Sequence, residues 1–133
     1  MGLDQNIMRL PKGVNPEGPF LSWEFIRSVQ ENSTESESLG YWCKCYDLDQ
    51  RMEALFLARG GVTEGGGRWS DVGLVLSMRD LKYLMEDLLD GFLLDEEIDE
   101  NYVGLVMTDT LQSIVLAARA IRDGYTVYYL PSR

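Results

Sequence analysis

The sequence predicts an α+β fold, with one mixed or mainly antiparallel sheet and about three helices packed on it. Three observations predict it. Short apolar and aromatic runs, such as Val72 to Leu76 and Tyr125 to Leu130, have strand character and strand length. Two segments carry apolar residues at helical spacing behind a capping pair, Asp47 with Gln50 and Ser77 with Asp80. Glycines close the helical segments, at Gly60-Gly61, Gly91 and Gly124. The 133 residues are expected to form one α+β domain spanning 1–133. A chain of that length can bury a core without metal or disulfide staples.

Along the chain, Leu3 to Leu10 reads as a short strand. It is followed by a loop with three of the four prolines, Pro11, Pro16 and Pro19. Phe20 to Val29 alternates loosely and suits a strand, with a short helix as the other reading. Glu31 to Ser38 is polar and reads as an exposed loop. Leu39 to Tyr46 is an aromatic-rich strand. Asp47 then opens a helix with Leu48, Met52, Leu55 and Phe56 on one face. Val72 to Leu76 is a strand, and Ser77 starts a helix lined by Leu81, Leu84, Met85 and Leu88. Tyr102 to Met107 reads as a strand, Thr108 as the cap of a third helix, and Tyr125 to Leu130 as a final strand. The expected order is β-β-β-α-β-α-β-α-β, and Tyr125 to Leu130, if an edge strand, could pair in a homodimer.

Composition narrows the function classes. Hydrophobic content of 45% with 11% aromatic residues belongs to a globular chain, not to a disordered acidic tail. There is no histidine, which removes the commonest general base, the commonest zinc and copper ligand and the His-dependent triads. No apolar run approaches the ~20 residues of a membrane span, and the amino terminus lacks a secretory pattern, so no membrane partner is expected. Cys43 and Cys45 stand one residue apart. On a strand they would lie roughly 6.5–7 Å apart along the chain, an awkward span for a disulfide. Reduced thiols and a cytoplasmic setting are expected.

Charge is the most informative feature for partners. The net charge is −10, and eight carboxylates fall between 86 and 100: Glu86, Asp87, Asp90, Asp95, Glu96, Glu97, Asp99 and Glu100. No Lys or Arg interrupts them. Such a block repels anions and attracts basic surfaces, and it can imitate the phosphate line of a nucleic acid. It lacks the D-x-[DN]-x-[DN]-G spacing of a calcium loop, so no metal is expected. The plainer reading is a solvated acidic loop that aids solubility.

A second candidate is the strand Tyr41-Trp42-Cys43-Lys44-Cys45-Tyr46. Alternation places Tyr41, Cys43 and Cys45 on one face and Trp42, Lys44 and Tyr46 on the other. The second set could stack a base or ring, with Lys44, and Arg119 or Arg122 one helical turn apart, meeting a phosphate. The plainer reading is core packing with Lys44 at the rim. Two cysteines alone do not make a zinc site. Gly65-Gly66-Gly67-Arg68 lacks the Lys-Ser/Thr of a phosphate loop and reads as a flexible tract.

Four stretches, Met1-Gly2-Leu3-Asp4, Tyr41-Trp42-Cys43-Lys44, Leu76-Ser77 through Leu81, and Tyr128-Tyr129-Leu130-Pro131-Ser132, give the chain a family likeness. It resembles a group of small, mostly phage-encoded proteins without a settled activity. These begin Met-Gly-Leu-Asp, carry a Tyr-Trp-Arg-Lys strand and a Val-Ser-x-x-x-Leu helix start, and finish in a Tyr-Tyr-x-Ser tail. Cys43 stands where the group usually has Arg, Asp49 where it has His, and Arg51 where it has Trp. A site built on that Arg and His in the relatives would be lost or changed here. The resemblance implies a viral accessory origin, not a mechanism.

Three functions are weighed on these grounds. The first is a non-enzymatic, cofactor-free accessory protein whose acidic surface binds and inhibits a basic host protein. A nucleic-acid-handling defence system, of the CRISPR or restriction type, would offer such a surface, with no direct nucleic-acid binding by the chain itself. The second is a sponge for a nucleotide-like signal held by Trp42, Lys44, Tyr46, Arg119 and Arg122. The third is a carboxylate-dependent hydrolase, for which no acid pair is singled out by spacing.

Overall fold

A computed structural model of the chain describes residues 2–32, 37–63, 69–90 and 100–133, the side chains of 89 and 100–107 excepted. The elements run β1 (Asp4–Arg9), β2 (Phe20–Leu21), α1 (Trp23–Asn32), β3 (Glu37–Cys43), α2 (Tyr46–Ala58), β4 (Gly73–Leu76), α3 (Met78–Leu89), α4 (Glu100–Arg122) and β5 (Val127–Ser132). The class is the expected α+β. One five-stranded sheet has the order β2-β4-β5-β1-β3, and every pairing in it is antiparallel. Among the described residues there are four helices, one more than the sequence suggests.

The extra helix is α1, which replaces most of the strand expected over Phe20 to Val29. Only Phe20 and Leu21 pair, with Leu74 and Gly73 of β4. The Ser22 hydroxyl then accepts the Phe25 N–H at 3.2 Å, and the Ser22 carbonyl accepts the Ile26 N–H at 3.0 Å. This is an N-cap, and it turns the chain into a helix whose Ile26 is fully buried. The run Tyr102 to Met107 is helical as well. It belongs to α4, so Thr108 lies inside a helix and not at its start. A six-residue apolar run fits a strand or a buried helix equally well, and continuity with the spacing Ile114, Ala117, Ala120 decides for the helix.

The sheet is covered on both faces. Ile7, Leu74, Leu76, Val127 and Tyr129 pack against Leu48, Met52 and Phe56 of α2, Leu81, Leu84 and Leu88 of α3, and Ile114, Ala117 and Ala120 of α4. On the other face Tyr128 and Leu130 join Leu10, Leu21 and Ile26 in a second cluster. β5 therefore lies at the centre, hydrogen-bonded to β4 and β1, and its residues Val127 to Pro131 are all buried. This corrects the expectation of an edge strand open to dimer pairing. An unbroken apolar run such as Val-Tyr-Tyr-Leu is what a strand buried on both faces needs. α4 crosses β3 at Gly40, where an added Cβ would lie 2.5 Å from Ser113 Oγ. No helix among the described residues is long and apolar enough to cross a membrane.

Burial of the two central tyrosines has a consequence at high pH. Burial pushes the Tyr128 hydroxyl up to about 12, against a weaker opposing hydrogen bond from Gln30, and burial raises Tyr129 further. An acid whose folded pKa exceeds its unfolded value of about 10 stabilises the fold fully below pH 10. That stability is lost as pH rises through 12. Tyr128→Phe should flatten the loss between pH 10 and 12 by about 2 kcal/mol, read from urea midpoints at pH 8, 10 and 12. Parallel curves for the two proteins would rule out the Tyr128 hydroxyl as the cause.

Candidate functional site

The acidic segment begins on α3. Ser77 starts this helix with the expected capping box: its hydroxyl accepts from the Asp80 N–H at 3.2 Å, and the Asp80 carboxylate accepts from the Ser77 N–H at 2.8 Å. With Leu81, Leu84 and Leu88 turned to the core, the helix period turns Glu86 and Asp90 to solvent. The last turn holds no base, so both acids sit where the helix dipole disfavours them.

Asp87 is different. It is bound to Arg51 of α2 at 2.6 Å, and its side chain is only 19% exposed. It ties two helices together and is not a free surface charge. Asp95, Glu96, Glu97 and Asp99 lie outside the described residues, as do the tract 65–68 and the expected stop at Gly91. Glu100 is the first residue of α4.

Internal ion pairs decide how much of the charge remains outside. Arg9 holds Glu37, Arg27 holds Glu31, Arg51 holds Asp87, Arg59 holds Asp80, Arg122 holds Asp123 and Arg133 holds Asp49. Each of these six arginines is matched by one carboxylate. With 22 acids against 12 bases in the chain, this pairing leaves most of the remaining charge negative. Glu86 and Asp90 stand in none of these ion pairs.

The second candidate set is not assembled. Trp42 is buried on the face toward α4, where its indole N–H donates to Thr110 Oγ1 at 3.0 Å. Lys44 adopts a left-handed bend (φ 56°) that ends β3, and this breaks the strand alternation. Cys45 consequently packs against the core, while Cys43 is exposed on the opposite face with Tyr41. Tyr46 is half exposed as the first residue of α2. Arg119 and Arg122 are exposed at the far end of α4. Arg119 stands nine residues beyond Thr110, which is about 13 Å of helix. Trp42 is thus a core residue, and the two arginines lie more than two helical turns along α4 from its partner Thr110.

α2 also starts differently. It opens at Tyr46, with no side-chain cap, so the expected Asp47–Gln50 box does not form. The peptide before it is held from across the sheet instead. Gln5 Oε1 accepts from the Cys45 N–H at 2.8 Å, and Gln5 Nε2 donates to the Cys45 carbonyl at 2.9 Å.

Gln5 belongs to a buried polar network that sequence reasoning missed. Its Nε2 also donates to the Tyr129 hydroxyl at 2.9 Å, which donates in turn to Asp49 Oδ1 at 3.4 Å. Arg133 Nη2 donates to both Asp49 oxygens at 2.8 Å, and its Nε donates to the Trp69 carbonyl at 2.7 Å. Gln5 and Asp49 are completely buried. One signal was available: Asp49 lies three residues before Met52 and seven before Phe56, on the apolar face of α2. The network joins β1, β5 and α2, and its members satisfy one another, as a structural core requires.

Asp49 and Arg51 of α2 both carry ion pairs. Among the described residues no group of three Cys, Asp or Glu side chains is placed to hold a metal ion. In comparison with known proteins, the chain matches no family model, no curated protein and no solved structure.

Proposed function

We propose that the chain is a non-enzymatic accessory protein of the phage type, which binds and inhibits a basic host protein in the cytoplasm through its acidic surface. The observation that carries this reading is the charge left over after internal pairing. Glu86 and Asp90 are exposed at a helix end without a base, directly before the carboxylates of 95–100. Negative charge concentrated in this way accelerates encounter with a basic surface and holds it by complementarity. A protein that handles nucleic acid presents such a surface, so the target is a defence nuclease of the CRISPR or restriction type. The nucleotide sponge has less support, because Trp42 is committed to the core and its partner bases stand apart.

Affinity purification from host lysate tests the reading, with mass spectrometry for both proteins and small ligands. The expected result is a basic host protein retained at about 50 mM salt and released tenfold or more at about 500 mM, because exposed charges are screened within a few ångströms at high salt. A captured nucleotide, or a partner that stays bound at high salt, would contradict it.

A further inference from the structure

α3 turns a single stripe to solvent: Arg79, Lys82, Tyr83, Glu86 and Asp90, all exposed. At 3.6 residues per turn these five fall within about a third of the helix circumference. The other two acids of the helix are engaged elsewhere, Asp80 with Arg59 and Asp87 with Arg51. The stripe therefore carries two bases at its amino end and two acids at its carboxyl end. Its charges cancel, on a chain whose net charge is −10.

This charge order is unfavourable for the helix on its own. The macrodipole favours acids at the amino end and bases at the carboxyl end. Lys82 and Glu86 also stand in the weaker orientation of an i,i+4 pair, with the base first. The order is complementary, however, to its own reverse. Laid antiparallel on a second α3 about a two-fold axis near Leu84 and Met85, Arg79 meets Asp90 of the second copy and Lys82 meets its Glu86. Symmetry makes each contact twice. Tyr83 lies beside the axis. Arg79 is already drawn along the stripe, with its Nε donating to the Tyr83 hydroxyl at 3.2 Å and its guanidinium 5.7 Å from the Tyr83 ring centre.

We propose that the outer stripe of α3 docks a second copy of this chain, antiparallel about a two-fold axis. The opposite charges that meet across the axis offset part of the long-range repulsion between two acidic copies. A 12-residue helix is about 18 Å long. Pairing along it buries less than the ~1,200 Å² of a stable interface, which places the dimer in the weak, transient class. The dimer goes beyond the partner-binding reading. Because it covers Glu86 and Asp90, self-association and capture of a basic partner through those two acids exclude each other.

Sedimentation velocity from about 10 μM to 1 mM tests the proposal, on the full chain and two stripe variants. One variant combines Arg79→Glu with Lys82→Glu, and the other Glu86→Lys with Asp90→Lys. The stripe side chains are exposed, so both variants should fold, which circular dichroism checks. The expected result is a dimer of the unaltered chain with a Kd of roughly 100 μM, a weak complex of this class. Each variant alone should dimerise at least tenfold more weakly, and an equimolar mixture of the two should dimerise at least as well as the unaltered chain. A chain that stays monomeric to 1 mM overturns the proposal, as does dimerisation that both variants retain, or a mixture that does not associate.

Discussion

Replacing Asp49 by alanine should destabilise the fold by about 3–5 kcal/mol, the range for breaking a buried ion pair by removing one partner. Asp49 is completely buried and accepts from Arg133 through both oxygens at 2.8 Å. Without it, the Arg133 guanidinium keeps the Trp69 carbonyl as an acceptor but loses the carboxylate, and the Tyr129 hydroxyl loses its acceptor. The cost is that of a stranded charge, not the net value of the pair. A second variant separates the two. Asp49→Leu combined with Arg133→Met removes both charges and keeps the volume, so it should fall within about 1–2 kcal/mol of the unaltered chain. Urea midpoints by circular dichroism provide both numbers. A single Asp49→Ala variant as stable as the parent would show that water, and not the protein, satisfies this network.

Asp80→Ala should cost about 3 kcal/mol, through two losses that can be separated. Asp80 completes the capping box of α3, a feature worth about 1 kcal/mol. It also binds Arg59 Nη2 through both oxygens, at 2.6 and 2.7 Å, beneath a side chain only 5% exposed. Arg59 Nη1 donates to the Val75 carbonyl at 2.9 Å, so this arginine ties the end of α2 to β4 and to the start of α3. The exposed side of Arg59 softens the loss, because water can take over part of the bond. Asp80→Asn keeps an acceptor for the Ser77 N–H and loses the charge, so it should cost about half as much. Equal destabilisation by Asn and Ala would show that the cap contributes nothing.

Local signals were legible in the sequence, and distant ones were not. The Ser77–Asp80 box spans three residues and forms as expected, whereas the equally local Asp47–Gln50 box does not, because Gln5 holds the Cys45 peptide from β1 instead. The glycine stop after α2 is equally local, with Gly60 at φ 94°. Ser22 carried a signal of the same kind, but the loose alternation of Phe20 to Phe25 concealed it. Tyr102 to Met107 was misread because a short apolar run has no period of its own. The central place of β5 depends on β1 and β4 flanking it, which no local pattern states. The Gln5–Tyr129 contact joins residues 124 apart in the chain. Only Asp49, on an apolar helix face, marked that network in advance. The acidic block was legible as charge, but the engagement of Asp87 by Arg51 was not, because it is a contact between helices.

The acidic block is the proposed binding surface. The variant Asp95→Asn, Glu96→Gln, Glu97→Gln, Asp99→Asn and Glu100→Gln keeps side-chain size and removes five charges. The direct measurement is plating efficiency of a targeted phage on host cells that carry a CRISPR or restriction system and express either form. The unaltered chain should raise plating, and the neutral variant, made to the same level, should lose at least tenfold of that gain. Full protection by the neutral variant would contradict the account.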